Sequence, residues 1–145
     1  MNRLMIILVL FLALTTPALA SSADAAAIRS VVTSGYVEGV HKEGNPEKMR
    51  AGFHADFVMF INGDEGIRTI TRDQWIERIE EGNKKADRKR PEIHAEISLV
   101  DVTKDAAIAR VELHRDGKHT FTDYLSLYRF ADGWRIIAKT FYRHP

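Results

Sequence analysis

Phe121-Thr122-Asp123-Tyr124-Leu125-Ser126-Leu127-Tyr128-Arg129-Phe130 is an apolar, aromatic-rich run with a turn dipeptide on each side, Asp116-Gly117 before it and Asp132-Gly133 after it. Such a run reads as a β-strand, and its flanking dipeptides read as hairpin turns. One residue does not suit a buried strand. A carboxylate at position 123 must be paired, must titrate, or must face something polar.

The same pattern continues on both sides. Residues 93–102, 106–115, 118–130 and 134–142 read as strands separated by Lys104-Asp105, Asp116-Gly117 and Asp132-Gly133, an antiparallel meander. Upstream the apolar period changes to that of a helix. Ile28, Val31, Val32, Gly35, Tyr36 and Val40 form one stripe within residues 24–42, and Gly44-Asn45-Pro46 stops it. Asn45 then caps a second, short helix that has Pro46 at its first position and runs to Gly52. Residues 53–62 read as a strand, residues 62–66 as a turn and residues 67–70 as a short strand. Thr71 and Gln74 form a capping box for a third helix, with Ile70 and Trp75 at the two positions of a hydrophobic staple and Gly82 as the stop. The expected fold is α+β: a curved antiparallel sheet wrapped around three helices, with a pocket on its concave side.

Residues 1–20 are expected to be an export signal rather than part of the fold. Arg3 is the positive start, residues 4–14 are an uninterrupted apolar run, and Ala18-Leu19-Ala20 is a small-x-small cleavage site. Eleven apolar residues are too few for a membrane span, which needs ~20. Cleavage after Ala20 leaves one domain, residues 21–145, in the periplasm or outside the cell. With no cysteine in the chain, that domain must be stable through its core alone. Loss of Arg3 leaves twenty basic and twenty acidic residues, so the mature chain is neutral. The basic cluster of Lys84, Lys85, Arg88, Lys89 and Arg90 is broken by Asp87 and ended by Pro91, and reads as a solvated loop. Neither nucleic acid nor, after cleavage, a membrane is an expected partner.

If the loops are the two-residue turns Asp116-Gly117 and Asp132-Gly133, Arg110 lies opposite Asp123, Ser126 opposite Lys139 and Tyr124 opposite Phe141. One face then carries Ile108, Arg110, Glu112, Asp123, Leu125, Leu127, Ile136, Ala138 and Thr140. The other carries Ala109, Val111, Leu113, Tyr124, Ser126, Tyr128, Ile137, Lys139 and Phe141. A sheet apolar on both sides covers a core with one face and a partner subunit with the other, so a homodimer is expected.

The run 123–141, with Gly133-Trp134-Arg135-Ile136 inside it, together with Tyr36-Val37-Glu38-Gly39 and Phe53-His54-Ala55-Asp56-Phe57, resembles the putative lumazine-binding family of the nuclear transport factor 2-like superfamily. The resemblance covers nearly all of the mature chain. It implies a cone-shaped α+β barrel, commonly dimeric through the outer sheet face, with a pocket between sheet and helices. By that analogy Tyr124, Ser126 and Lys139 look inward, and Asp123 pairs with Arg110 on the subunit-facing side.

Ketosteroid isomerase, of the same superfamily, uses a helix tyrosine and a protonated acid to hold an oxyanion, plus a carboxylate base. Tyr36 matches the tyrosine, but Ser126 aligns with the acid and Ile61 with the base, so that route is not expected. Six histidines occur, at 41, 54, 94, 114, 119 and 144. His114 and His119 become cross-strand neighbours by the Asp116-Gly117 turn, but no third ligand is near in sequence, so no metal site is expected. No Gly-rich phosphate loop is present, and no cofactor is expected.

Three functions compete. A non-catalytic binder would line its pocket with Tyr36, Trp75, Tyr124, Ser126, Lys139 and Phe141, a set suited to a planar, anionic small molecule. A lyase or isomerase would use Tyr36, Lys139 or His54 in place of the missing base, and a depressed Lys139 pKa beside a water-excluded cavity would favour it. A dimeric assembly module would have a vestigial pocket filled by side chains.

Overall fold

The computed structural model describes residues 17–85, 87 and 89–145. Most of the expected leader and Arg88 of the basic cluster therefore lie outside the described residues. Helix α1 (Pro17–Val31) runs without a break into a π-helical segment (Val32–Lys42). Then follow α2 (Pro46–Gly52), β1 (Phe53–Gly63), β2 (Gly66–Thr71), α3 (Arg72–Asn83), β3 (Ile93–Thr103), β4 (Ala106–Arg115), β5 (Lys118–Phe130) and β6 (Gly133–Arg143). Every expected element forms. The first helix starts earlier than residue 24, because the alanine-rich stretch after Pro17 favours helix and proline is tolerated in a first turn.

Local chemistry sets the helix starts as the sequence implies. Asn45 Oδ1 accepts from the backbone N–H of Glu47 (3.0 Å) and Lys48 (3.2 Å). At α3 the capping box is reciprocal: Gln74 N–H donates to Thr71 Oγ1 (3.3 Å), and Thr71 N–H donates to Gln74 Oε1 (3.1 Å).

The six strands form one sheet in the order β2-β1-β6-β5-β4-β3. It is mixed rather than wholly antiparallel, since β1 pairs with β6 in parallel. The β1–β2 hairpin is separated from the meander by α3, so no hairpin turn constrains its direction against β6. The helical stripe of Ile28, Val32, Tyr36 and Val40 packs into one core with Ala109, Val111, Leu125, Leu127 and Ile136. A Cβ added to Gly35 would lie 2.8 Å from Gly52 Cα, so the π-helical segment and α2 touch backbone to backbone. Asp24 ties the helix to the sheet, accepting from Arg129 (3.1 Å) and from the Trp134 indole N–H (3.2 Å). Among the described residues no helix is long and apolar enough to cross a membrane.

Two β-bulges and one displaced turn overturn the expected register: Phe130 pairs with Gly133, so the β5–β6 loop is Ala131-Asp132 and not Asp132-Gly133. The Asp116-Gly117 turn forms as expected, both residues at positive φ (49° and 77°), and His114 pairs with His119. The next pair is Leu113 with Phe121, so Thr120 is an extra residue and every later side chain of β5 changes face. On the other side Leu127 pairs with Ile136 but Ser126 with Ala138, leaving Ile137 as the extra residue in β6. The inner face consequently carries Ala109, Val111, Leu113, Phe121, Asp123, Leu125, Leu127, Trp134, Ile136 and Lys139, all buried.

Leu125, Leu127 and Ile136 are therefore core, not the exposed apolar face on which the dimer expectation rested. Tyr124 and Ser126, expected to look inward, pair with Arg110 and Thr140 and with Ile108 and Ala138 on the outer face, where Tyr124 is 40% exposed. The expected Asp123–Arg110 pair does not form: Arg110 Nε donates to Glu112 Oε1 at 2.6 Å, and Asp123 is fully buried.

Candidate functional site

The two bulges bring an acid and an amine together in the core. Thr120 turns Asp123 inward on β5, and Ile137 turns Lys139 inward on β6, diagonally across the Asp123–Phe141 and Leu125–Lys139 pairs. Tyr36 reaches them from the π-helical segment. Its hydroxyl donates to Asp123 Oδ2 (2.6 Å) and accepts from Lys139 Nζ (2.6 Å), while Lys139 Nζ also donates to Asp123 Oδ1. Both carboxylate oxygens and both roles of the phenol are used, so this buried network is satisfied. Burial lowers the Lys139 pKa, against the charge and hydrogen bond of Asp123, which raise it. Burial, reinforced by the Asp123 charge, pushes the Tyr36 phenol well above its ordinary value.

In front of Lys139 lies a cavity of about 310 Å³. Lys139, Phe141 and Arg143 face it in alternation along β6, Trp75 and Ile79 come from α3, and His41 closes it from the end of the π-helical segment. Arg90, Arg115 and Arg143 join Lys139 in its wall, and among the described residues no carboxylate does. Among the described residues none of these three arginines forms an ion pair. Arg115 and Arg143 instead lie over the Phe121 ring, 4.9 Å and 5.4 Å from its centroid. Arg90 donates to Asn83 Oδ1 at 2.5 Å, which holds it at the cavity rather than in the solvent.

Two hydrogen-bond donors in this wall lack partners. A guanidinium can only donate, so the 3.2 Å contact between Arg115 and His41 Nδ1 makes Nδ1 the acceptor and leaves the imidazole proton on Nε2. His41 Nε2 and Arg115 Nε are both buried without a hydrogen-bond partner among the described residues. An acceptor in the cavity is what such donors require.

Burial, then the charges of Lys139 and Arg115, pushes the His41 pKa well below its ordinary value of 6.5. The unfolded chain takes up this proton near pH 6.5 while the folded chain does not. The stabilisation is therefore complete above pH 6.5 and is lost as pH falls, by at most about 1.4 kcal/mol per pH unit. Urea unfolding between pH 7.5 and 5 should show a shallower decline for His41→Gln than for the native chain. Equal slopes would mean that His41 is protonated in the folded state.

The sequence matches the family described as “Putative lumazine-binding” over residues 23–142. The chain belongs to that family. Its fold is that of a nuclear transport factor 2-like protein of unknown function from Shewanella baltica OS155, 23% identical, with a TM-score of 0.71 over 86% of this chain and 96% of that one. A second such protein, from Methylobacillus flagellatus KT, is 24% identical with a TM-score of 0.67, covering 86% and 95% of the two chains. A cystatin-like domain from Nostoc punctiforme PCC 73102 is 17% identical with a TM-score of 0.64, covering 86% and 80%. No curated protein matches the sequence.

Of the six residues named from the sequence, Trp75, Lys139 and Phe141 line the cavity. Tyr36 does not line it but stands behind Lys139, and Tyr124 and Ser126 lie on the opposite face of the sheet. His54 is also elsewhere, stacked on Phe130 at 4.5 Å. The acid that meets Tyr36 is Asp123, not Ser126. Its charge is taken by Lys139 and the single Tyr36 proton by Asp123, so neither is free to hold an oxyanion. Ile61 lines the cavity where the family resemblance to the isomerase puts the base. His41, Arg90, Arg115 and Arg143 were not singled out by the sequence. The inward parity expected for Lys139 and Phe141 carries Arg143 as well, one alternation further along β6, whereas nothing in the sequence of the basic run distinguishes Arg90 from the other basic residues.

Proposed function

We propose that the chain is an exported protein whose mature domain binds a planar, anionic small molecule in the cavity before Lys139. The observation that supports this most is the composition of the wall: Arg90, Arg115, Lys139 and Arg143 with no carboxylate, set beside Trp75, Phe121 and Phe141. Aromatic faces suit a flat ring, and guanidinium groups without acid partners suit a carboxylate or phosphate. About 310 Å³ is enough for a ligand of one or two fused rings. It is also more space than a pocket filled by its own side chains would leave, which ranks the assembly-module reading last.

Lysine catalysis ranks second. The lowered Lys139 pKa favours it, but the amine is engaged by Asp123 and Tyr36. Native mass spectrometry of protein purified from its own host tests the binder directly. It should show a retained molecule that is released on denaturation and ionises as an anion. A retained cation would contradict the reading.

Export with cleavage after Ala20 predicts an intact mass beginning at Ser21 in the periplasm; the full-length chain in the membrane fraction would refute it. Pairing of two copies is proposed through the outer face, where Leu99, Tyr124 and Tyr128 are 46%, 40% and 47% exposed. Sedimentation at micromolar concentration should give a dimer, and a monomer would exclude it.

A further inference from the structure

The Thr120 bulge that turns Asp123 inward has a second effect, on the outer face. His119 lies before the bulge and Thr122 after it, so these two residues, three apart, come to one face of β5. Thr122 pairs with Glu112 on β4 and with Tyr142 on β6. Beyond Tyr142 the chain stays on the sheet, because His144 N–H donates to Thr120 C=O at 3.0 Å. His144 is two residues past Tyr142 and so shares its face. Three segments thus converge around the Thr122 hydroxyl.

We propose that Glu112, His119 and His144 form a binding site for a divalent transition-metal ion of the zinc class, with Thr122 beside it. The three ligand atoms all lie within 4.8 Å of one another. His119 Nε2 is 3.0 Å from Glu112 Oε2, and Thr122 Oγ1 is 2.6 Å from Glu112 Oε2, 2.9 Å from His144 Nε2 and 3.5 Å from His119 Nε2. Tetrahedral zinc with bonds of about 2.0–2.1 Å holds its ligand atoms about 3.4 Å apart. The 3.0 Å between His119 Nε2 and Glu112 Oε2 is close to this, and the 4.8 Å limit on all three leaves a small closing movement.

The supporting contacts also suit a metal. Arg110 Nε occupies Glu112 Oε1 at 2.6 Å and leaves Oε2 toward the histidines. The His119 ring stacks on His114 (4.6 Å between centroids) and on His144 (3.7 Å), and Tyr142 packs edge-on against His144 (4.9 Å). The rings are thus held near the site before any ion arrives. Because the His119 and His144 planes differ by 29°, metal capture has to open that stack. His119 and His144 also border a hollow of about 190 Å³, room for water to complete the coordination.

The donor set decides the kind of ion. Two imidazoles and one carboxylate favour zinc or copper, whereas calcium needs six to eight oxygen ligands and magnesium near-octahedral oxygen coordination. Lys118, Arg115 and Arg143 border the same hollow and repel cations. A hard ion held by charge alone is therefore disfavoured, and one that forms strong bonds to imidazole is selected. The proposal departs from the sequence reading in its further ligands: Glu112 lies two residues before His114 on the same face of β4, and His144 is brought to it by the sheet.

The test is calorimetric titration of ZnCl2 into the tag-free mature chain at pH 7.5. One ion per chain is expected, with Glu112→Gln and His144→Gln each weakening the affinity at least about tenfold. His144 lies just beyond the last residue of β6 and is half-buried. Its variant should keep the native melting temperature, so a loss of binding there is a loss of ligand and not of fold. His94→Gln should bind as the native chain does. The proposal is overturned if the native chain takes up no zinc at about 100 μM. It is equally overturned if the His119→Gln/His144→Gln double variant retains the native affinity and stoichiometry, or if His94→Gln rather than His144→Gln abolishes binding.

Discussion

Asp123→Asn should lower the unfolding free energy by about 3–5 kcal/mol, although it changes neither the volume of the side chain nor its ability to accept from Tyr36. The loss comes from the charge. Lys139 is 4% exposed and Asp123 fully buried, so removing the carboxylate leaves an ammonium in the core with only the Tyr36 hydroxyl and the neighbouring aromatic faces. Two further results separate this cause from ordinary mispacking. The Asp123→Asn/Lys139→Met double variant should recover much of the loss, since neither charge is then stranded. The deficit should also shrink with rising pH. Burial already holds the Lys139 pKa below 10.5, and loss of the Asp123 charge, which raises it, lowers it further. Between the folded and unfolded values the unfolded chain binds more protons, so the variant gains stability as pH rises. The comparison belongs below pH 10.0, where Tyr36, raised in the folded chain, begins to titrate in the unfolded one and reverses the slope. Guanidinium unfolding at pH 7 and 9 measures all three effects. A cost under about 1 kcal/mol for Asp123→Asn would mean that the buried Lys139 ammonium does not depend on the Asp123 carboxylate for its compensation.

Replacing Arg115 and Arg143 together by glutamine should weaken an anionic ligand by about a hundredfold or more, taking each charge-assisted hydrogen bond as about 1.5–3 kcal/mol. Stability should change little, because neither guanidinium has an acid partner among the described residues: both lie over Phe121, and Arg115 adds one hydrogen bond, to His41 Nδ1. Lys139→Met is the less informative variant. It strands Asp123 as well as emptying the cavity wall, so its melting temperature and its affinity fall together. With 2-naphthoate as the probe, calorimetry on the native chain and the double arginine variant measures the difference. Equal affinities would place the anion outside the arginine cluster.

Much of this fold is legible in the sequence because its boundaries are written in local chemistry. Asn45, Thr71 with Gln74, and Asp116-Gly117 each act on neighbouring backbone and behave as their residue types require. The register is not legible. Thr120 and Ile137 are ordinary strand residues, with no glycine or proline to mark a bulge, and each shifts the pairing by one. That single-residue difference moves Tyr124 and Ser126 out of the site, brings Asp123 to Lys139 and turns an expected subunit face into core. Trp75 is unaffected by the register because it belongs to a helix, whose apolar stripe no bulge can invert. Lys139 and Phe141 keep the face expected of them for a different reason: their own strand carries a bulge that offsets the error made on the other.

As proposed, the cavity selects for negative charge on a flat ring. Matched titration of 2-naphthoate and its neutral amide, with lumazine as a planar comparison, measures that selectivity on one shape. At pH 7.5 the carboxylate should bind at least about tenfold more tightly than the amide, and the margin should narrow as salt is raised. Equal binding of acid and amide, or tighter binding of the amide, would contradict the account.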